Sequence, residues 1–146
     1  MEKSQYYIAY GSNLNVKHMR VRCPSAVLIG SAILEGYQLV FKYFATIEEK
    51  HGAEMPVGIW EIDDITERSL DRYEGYPHLY RKAYIKFKLG NQETHGLCYI
   101  MNNGNLELPS SSYFTTIEMG YDHVGLDKNY LIKAYEHTKE LINKQK

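Results

Sequence analysis

The chain has 146 residues, with 17 lysines and arginines against 18 aspartates and glutamates. That length suits a single domain over residues 1–146 with one core, and the balanced charge supplies no net field to attract nucleic acid or an anionic membrane. No apolar run reaches the length that crosses a bilayer, and no secretory signal opens the sequence. We therefore expect a cytoplasmic protein that recognises a small molecule.

Five stretches have the alternation or β-branched composition of strands. In chain order they cover Tyr6–Tyr10, Ser25–Phe44, Pro56–Ile62, Tyr80–Leu89 and Thr94–Met101. The second is interrupted by Gly30 and Gly36 and predicts two strands or one bent strand. Gly90-Asn91 predicts a hairpin turn between the last two. The polar segment Thr46–Glu54 predicts a loop.

Four stretches carry helix signals. In chain order the predicted helices are Val16–Cys23, a segment from Asp63 to about Tyr73, Ser110 to about Gly120, and Asp127–Leu141. Pro24 ends the first helix, and Gly75 stands at the C′ position of the second. Strands fill the first two-thirds of the chain and two helices close it. This order predicts an α+β fold whose mainly β core closes into a small barrel.

Two compositional features concern the interior. Cys23 and Cys98 are too few for a disulfide framework and lack zinc-site spacing, so we expect two reduced, structural thiols. Tyrosine occurs 14 times, against four phenylalanines and one tryptophan. Because a buried tyrosine needs a partner for its hydroxyl, this composition favours a polar-lined interior cavity. For any single tyrosine, a half-exposed strand position is the alternative.

The turn Gly11-Ser12-Asn13 directly follows the first predicted strand. Gly11 permits either a positive φ or a close approach of the backbone to a ligand, while Ser12 and Asn13 form turns and cap helices. Such a turn offers backbone N–H groups to a carboxylate or a developing oxyanion. The alternative is a turn that only reverses the chain.

Glu74 is the candidate acid or base. It lies in the last turn of its predicted helix, where the helix dipole disfavours a carboxylate, and it is flanked by Tyr73, Tyr76 and Tyr80. The helix end and burial among aromatic rings both raise the pKa of a carboxyl group toward the range useful for general acid/base catalysis. A surface glutamate in a turn is the alternative.

Asp71 is a second candidate carboxylate, although Arg72 and Arg81 offer it ordinary salt-bridge partners. The spacing of the other reactive residues does not support nucleophilic catalysis, a metal site or a phosphate-binding loop. His95 and Cys98 are three residues apart on a predicted strand and therefore point to opposite faces. The six histidines show no paired metal-ligand spacing, and no glycine-rich phosphate loop or Gly-x-Ser-x-Gly elbow occurs.

Three segments together resemble the γ-glutamylcyclotransferase family, which includes AIG2-like proteins. They are Tyr10-Gly11-Ser12-Asn13, Tyr73-Glu74-Gly75-Tyr76-Pro77, and Pro109-Ser110-Ser111-Ser112-Tyr113 with the following Ile117, Gly120 and Gly125-Leu126. The segments occur in the order typical of the family, and the resemblance covers about Tyr7 to Tyr135.

The resemblance implies a small mixed β-barrel with surrounding helices, whose cavity binds a γ-glutamyl group. It also implies conversion of a γ-glutamyl amide to 5-oxoproline and a free amine. The α-amine of the substrate is then the nucleophile, and no enzyme nucleophile, metal or cofactor is required. Glu74 would take a proton from the α-ammonium group and return one to the leaving amine. The N–H groups of Gly11, Ser12 and Asn13 would hold the γ-glutamyl unit. Tyr10, Tyr76 and Tyr113 are assigned to the substrate site.

Three other functions use the same cavity or surface. A binding module would sequester an anionic metabolite without turnover, and a hydrolase would use Glu74 to activate water and release glutamate. A protein–protein scaffold would require Tyr76 and Tyr113 to lie in an exposed apolar patch. The sequence does not identify the leaving amine, and it does not decide between a monomer and a homodimer.

Overall fold

The computed structural model describes residues 4–146 and contains five strands, four α-helices and one 3₁₀ turn. The strands are β1 (Gln5–Ala9), β2 (Val27–Lys42), β3 (Phe44–Ile62), β4 (Tyr80–Leu89) and β5 (Gln92–Met101). The helices are α1 (Val16–Arg22), α2 (Asp64–Glu74), α3 (Ser111–Val124) and α4 (Lys128–Lys144), and the 3₁₀ turn is Ser12–Leu14. The predicted α+β class is confirmed.

All five strands form one mixed sheet in the order β2-β3-β1-β5-β4. The hairpins β2-β3 and β4-β5 are antiparallel, and β1 lies between them, antiparallel to β3 and parallel to β5. Because β1 is central, Ile8 and its neighbours are fully buried, and the turn after β1 is surrounded by the rest of the fold. The site described below lies at this end of β1.

The sheet curls but does not close into the predicted barrel. The edge strands β2 and β4 approach each other, yet no ladder joins them in residues 4–146. The gap between them is lined by Glu35 of β2 and by Lys86 and Lys88 of β4. Charged side chains on edge strands are a common barrier to further pairing, and here they occupy the position of the missing ladder.

The predicted loop over Thr46–Glu54 is wrong, because this segment belongs to β3. Leu39 pairs with Ile47, and Tyr37 pairs with Glu49, so the antiparallel ladder continues through polar residues. Pairing with the backbone of β2 therefore makes this segment a strand, although its side chains are mostly polar. The register then shifts from the Tyr37–Glu49 pair to the Glu35–Glu54 pair, which leaves residues 50–53 as a bulge opposite one residue of β2.

Local signals fix the helix boundaries close to their predicted positions. Asp63 caps α2 through its side chain, which accepts the Thr66 N–H at 2.8 Å. Gly75 ends the same helix in the left-handed conformation, with φ of +66°. Asn15 caps α1, and Ser110 caps α3. The end of α2 is therefore set by Gly75, which fixes where Glu74 is presented.

Helix α3 lies against the turn after β1 at backbone distance. A Cβ atom built on Gly120 would lie 2.7 Å from the carbonyl carbon of Leu14 and 2.8 Å from the nitrogen of Asn15. The Asn15 side chain also donates to the Thr116 carbonyl at 3.1 Å. Only glycine permits this approach, so Gly120 sets the distance between α3 and the turn.

Candidate active site

A cavity of about 200 Å³ opens beside the turn that follows β1. Segments distant in sequence supply its walls: β1 with the turn after it, the start of β3, the end of α2, the start of β4, β5 and the start of α3. Its lining residues are Tyr7, Tyr10, Gly11, Ser12, Asn13, Phe44, Ala45, Tyr73, Glu74, Leu79, Tyr80, Tyr99 and Tyr113. Of the predicted site residues, the structure brings all but Tyr76 to this cavity.

The Gly11-Ser12-Asn13 turn presents unused backbone donors. Within residues 4–146, no backbone carbonyl accepts the N–H groups of these three residues, whereas Leu14 N–H closes the 3₁₀ turn on the Gly11 carbonyl at 3.0 Å. Gly11 has φ of −125°, so close approach rather than a left-handed backbone explains the glycine. Its added Cβ would lie 3.3 Å from Ala45 Cβ and 3.6 Å from the Tyr113 hydroxyl.

Asn13 fixes this turn through three hydrogen bonds. Its side-chain amide donates to the Tyr7 hydroxyl at 3.0 Å, and its backbone carbonyl accepts the indole N–H of Trp60 at 3.2 Å. The guanidinium of Arg22 donates to its side-chain oxygen. The residue is buried, so each of these bonds forms away from bulk water and holds the turn in one conformation.

Glu74 is the last residue of α2 and is partly buried in the cavity wall. Burial raises the pKa of its carboxyl group from 4.5 to about 7, and the positive charge of Arg22 acts in the opposite direction. No hydrogen bond from residues 4–146 contributes to that pKa. The carboxyl group therefore titrates near neutral pH, as predicted for an acid/base residue, and burial is the cause of the shift.

The other polar groups of the cavity are mostly tyrosines whose hydroxyls are already engaged. Tyr10 donates to the Tyr99 carbonyl at 2.6 Å, and Tyr80 donates to the Ala45 carbonyl at 2.8 Å. Tyr113 accepts the Ala45 N–H at 3.1 Å. Burial raises the pKa of all three phenols above the ordinary value, so they remain neutral. The cavity is polar-lined, as the tyrosine content predicts, and its walls carry no phenolate charge.

Asp71, the alternative carboxylate, does not line the cavity. It accepts the Tyr99 hydroxyl at 2.6 Å and lies 3.1 Å from the Lys82 ammonium group. The predicted partners are wrong: Arg72 donates to Ser69 and Arg81 to the Met101 carbonyl. Asp71 therefore supports the outer side of the tyrosine wall, since its acceptor sites are already used.

Tyr76 lies outside the cavity, in contrast to its assignment from the sequence. Its side chain is 40% exposed, and the Lys82 ammonium group lies 4.3 Å from the centre of its ring. The Tyr76 N–H donates to the Asp71 carbonyl at 2.9 Å across the glycine that ends α2. This C-terminal turn directs the chain away from the cavity immediately after Glu74.

Arg22 is a neighbour of the site that the sequence did not identify, and it stacks on Tyr73, which the sequence placed beside Glu74. The Arg22 guanidinium carbon lies 3.4 Å from the centre of the Tyr73 ring, and the Tyr73 hydroxyl is 3.0 Å from the Ser12 hydroxyl. Stacking of this kind stabilises the Arg22 guanidinium group in the position from which it also donates to Asn13. No local sequence pattern predicts this contact, because it joins the end of α1 to the end of α2.

Comparison with known proteins gives a consistent result. A family profile described as γ-glutamyl cyclotransferase, AIG2-like, matches residues 7–116, a range that includes the turn after β1, Glu74 and Tyr113. The chain belongs to this family. It is 32% identical to γ-glutamylcyclotransferase of Mus musculus, over 89% of this chain and 78% of the mouse protein. It is 31% identical to the Homo sapiens protein of the same name, over 92% and 80%.

A solved structure named γ-glutamyl cyclotransferase has the same fold. It superposes with a TM-score of 0.81 and 26% identity, covering 97% of this chain and 99% of that one. Within residues 4–146, no helix is both long and apolar enough to span a membrane.

The raised pKa of Glu74 predicts a pH-dependent stability difference between the wild type and Glu74→Gln. The unfolded carboxyl group ionises near 4.5 and the folded one near 7, so wild-type stability falls as pH rises through that window. Glutamine never ionises. We expect the variant to gain on the order of 3 kcal/mol relative to wild type between pH 4 and pH 8. Urea denaturation across this pH range measures the difference, and parallel stability curves would contradict the assignment.

Proposed function

We propose that this chain is a cyclotransferase that converts a γ-glutamyl amine or γ-glutamyl amino acid to 5-oxoproline and the free amine. The observation that carries the proposal is a carboxyl group with a pKa of about 7, without hydrogen-bond partners in the described chain, in a cavity with neutral tyrosine walls. Unused backbone N–H groups line the same cavity. Membership of the family supports the same reaction.

The substrate binds with its γ-glutamyl unit against the turn after β1. The N–H groups of Gly11, Ser12 and Asn13 supply donors for the unit and for the negative charge that develops on the γ-carbonyl oxygen. Tyr10 and Tyr113 pack against its aliphatic part. Donors that are fixed before the reaction require little reorganisation, and the hydrogen bonds of Asn13 keep this turn in place.

Glu74 first accepts a proton from the substrate and later donates it to the leaving amine. The α-ammonium group of the substrate has a pKa of about 8 and is mostly protonated at neutral pH, so it must lose a proton before it can attack. The Glu74 carboxylate accepts that proton. The freed amine then forms a bond to the γ-carbonyl carbon, and the protonated Glu74 delivers the proton to the departing nitrogen as the original amide bond breaks. The ring nitrogen loses its second proton in the same sequence, and the released amine takes it up. Water is neither consumed nor released.

Ring closure makes a lone acid/base sufficient. The nucleophile and the electrophile belong to one molecule, so the site needs to fold the substrate rather than to assemble two reactants, which contributes several kcal/mol to the lower barrier. The cavity has the features that this requires: a fixed turn, rigid aromatic walls and one proton carrier. The scaffold alternative is less well supported, because Tyr113 lines the cavity.

Two further assignments belong to this proposal. Cys23 and Cys98 are both free and buried, which supports a reducing, cytoplasmic environment. The edge strand β2 exposes Val27, Ile29 and Ile33 in one row, which supports a homodimer. Sedimentation analysis at micromolar concentration tests the dimer directly, and a monomer mass would remove this assignment.

The reaction and the role of Glu74 are tested together by product analysis. The wild-type protein should release 5-oxoproline from a panel of γ-glutamyl amino acids and amines. Glu74→Gln should lower kcat by roughly 10²–10⁴-fold, the usual contribution of a general acid/base. Glu61→Gln, an exposed glutamate of β3, is the matched control and should keep wild-type turnover. Release of glutamate would indicate a hydrolase, and tight binding without product would indicate a binding module.

Arg22 should set the pH dependence of the reaction. Productive encounter needs ionised Glu74 and a protonated substrate amine, so kcat/KM should be bell-shaped with limbs near pH 7 and pH 8. Because the Arg22 charge lowers the pKa of Glu74, Arg22→Met should move only the acidic limb, to higher pH. Arg22→Lys keeps the charge and should restore most of that shift. A uniform loss of activity at every pH would instead assign Arg22 a purely structural role.

A further inference from the structure

The cavity has an apolar side that the proposed proton transfer does not use. Phe44 and Leu79 both line it, and each is 42% exposed, in contrast to the buried tyrosines of the inner wall. A partly exposed lining residue marks the open side of a cavity. Since the γ-glutamyl unit occupies the inner end, the group attached to the leaving nitrogen must extend toward this open side.

Phe44 is held in place by an aromatic row. Its ring makes edge-to-face contacts with Tyr43, with centroids 5.1 Å apart, and with Tyr113, with centroids 5.4 Å apart. The Tyr113 hydroxyl accepts the N–H of Ala45, the residue after Phe44. Phe44 is therefore fixed at the mouth by contacts on both sides, and its exposure is a property of the folded wall.

The hairpin that carries Phe44 has an unusual backbone. Tyr43, at the tip between β2 and β3, has φ of +66° and is the one non-glycine residue with a positive φ in residues 4–146. Its N–H donates to the Glu107 carbonyl at 2.8 Å, and Glu107 N–H donates to the Phe41 carbonyl at 3.2 Å. A bulky residue in this conformation is strained, and such strain is maintained where surrounding contacts enforce it, often at ligand sites.

Charge at the mouth favours the same kind of ligand. Among residues 4–146, the cavity lining contains no lysine, arginine or histidine, and Glu74 is its one carboxylate. A leaving group that carries a second carboxylate would find no cation among these lining residues and would face the charge of Glu74 whenever that group is ionised. A neutral apolar group would bury surface against Phe44 and Leu79.

We propose that Phe44 and Leu79, with Tyr43 and Tyr113 supporting Phe44, form a leaving-group subsite that selects γ-glutamyl amides of uncharged, apolar amines. This inference rests on the proposed function, because it assigns the outer end of the same substrate. It narrows the substrate class from γ-glutamyl compounds in general to those whose amine carries an aromatic or aliphatic group and no additional acid.

Three synthetic substrates test the subsite. γ-Glutamyl benzylamide and γ-glutamyl methylamide differ in apolar surface, and γ-glutamyl 4-carboxybenzylamide adds a negative charge to the first. We expect wild-type kcat/KM for the benzylamide to exceed that for the other two by about tenfold or more, the scale of discrimination by a few apolar groups. Phe44→Ala should reduce the benzylamide-to-methylamide ratio toward one. Tyr84→Ala, an exposed tyrosine of β4 outside the cavity lining, should keep the wild-type ratio.

Binding to Glu74→Gln separates this inference from the proposed function. Titration calorimetry with the same three compounds measures their Kd values without turnover, and the benzylamide should again bind about tenfold more tightly than the methylamide. If no compound yields 5-oxoproline but this order of affinity holds, the cyclotransferase assignment fails and the subsite stands. If all three react and bind equally well, or the carboxylated compound is preferred, the subsite is overturned and the cyclotransferase assignment stands.

Discussion

Desolvation of one carboxyl group is the constraint on which the site depends. Glu74 stands at the end of α2, where the cavity removes it from water and raises its pKa to about 7. The neighbouring phenols do not offset this, because Tyr10 and Tyr80 direct their hydroxyls to backbone carbonyls. The wall is therefore polar, but the hydroxyls of Tyr10 and Tyr80 are not available to stabilise the Glu74 carboxylate.

The site is assembled around β1 because that strand lies in the centre of the sheet. Its carboxyl end delivers the backbone turn, β3 delivers Ala45 alongside it, and α3 is brought to the turn by the close approach at Gly120. Tyr113 is carried on the same helix, so its position follows from that packing. The contact at Gly120 therefore positions two walls of the cavity, the turn after β1 and Tyr113, relative to each other.

Sequence reasoning succeeded where the determining signal was local. Asp63 and Gly75 mark the two ends of α2, and the position of Glu74 in the last turn follows from them. The turn at Gly11 follows from the abrupt end of an apolar strand. A γ-glutamylcyclotransferase family resemblance could be recognised because its motifs are continuous in the chain, and each of them sits at such a local boundary.

Where the sequence reasoning failed, the determining contact was distant. The ladder that makes 46–54 a strand is supplied by β2, and the gap that leaves the sheet open lies between β2 and β4, which belong to different hairpins. Tyr76 is two residues from Glu74 in sequence but turns outward, whereas Arg22 is 52 positions away and lowers the pKa of Glu74. Neither periodicity nor composition encodes the Arg22 contact, since it joins the ends of α1 and α2.

In the proposed mechanism, Arg22 resolves a conflict that any two-way proton carrier faces. Complete desolvation would raise the pKa of Glu74 further and make its carboxylate a stronger base, but that ionised form, which accepts the first proton, would then be scarce at neutral pH. A directly bonded cation would have the opposite effect, by making the carboxylate a weak base. Arg22 instead contacts Asn13 and the Tyr73 ring, and its positive charge lowers the pKa of Glu74 without a hydrogen bond between them. The same side chain that holds the backbone donors in place therefore keeps the acid/base balanced between its two tasks.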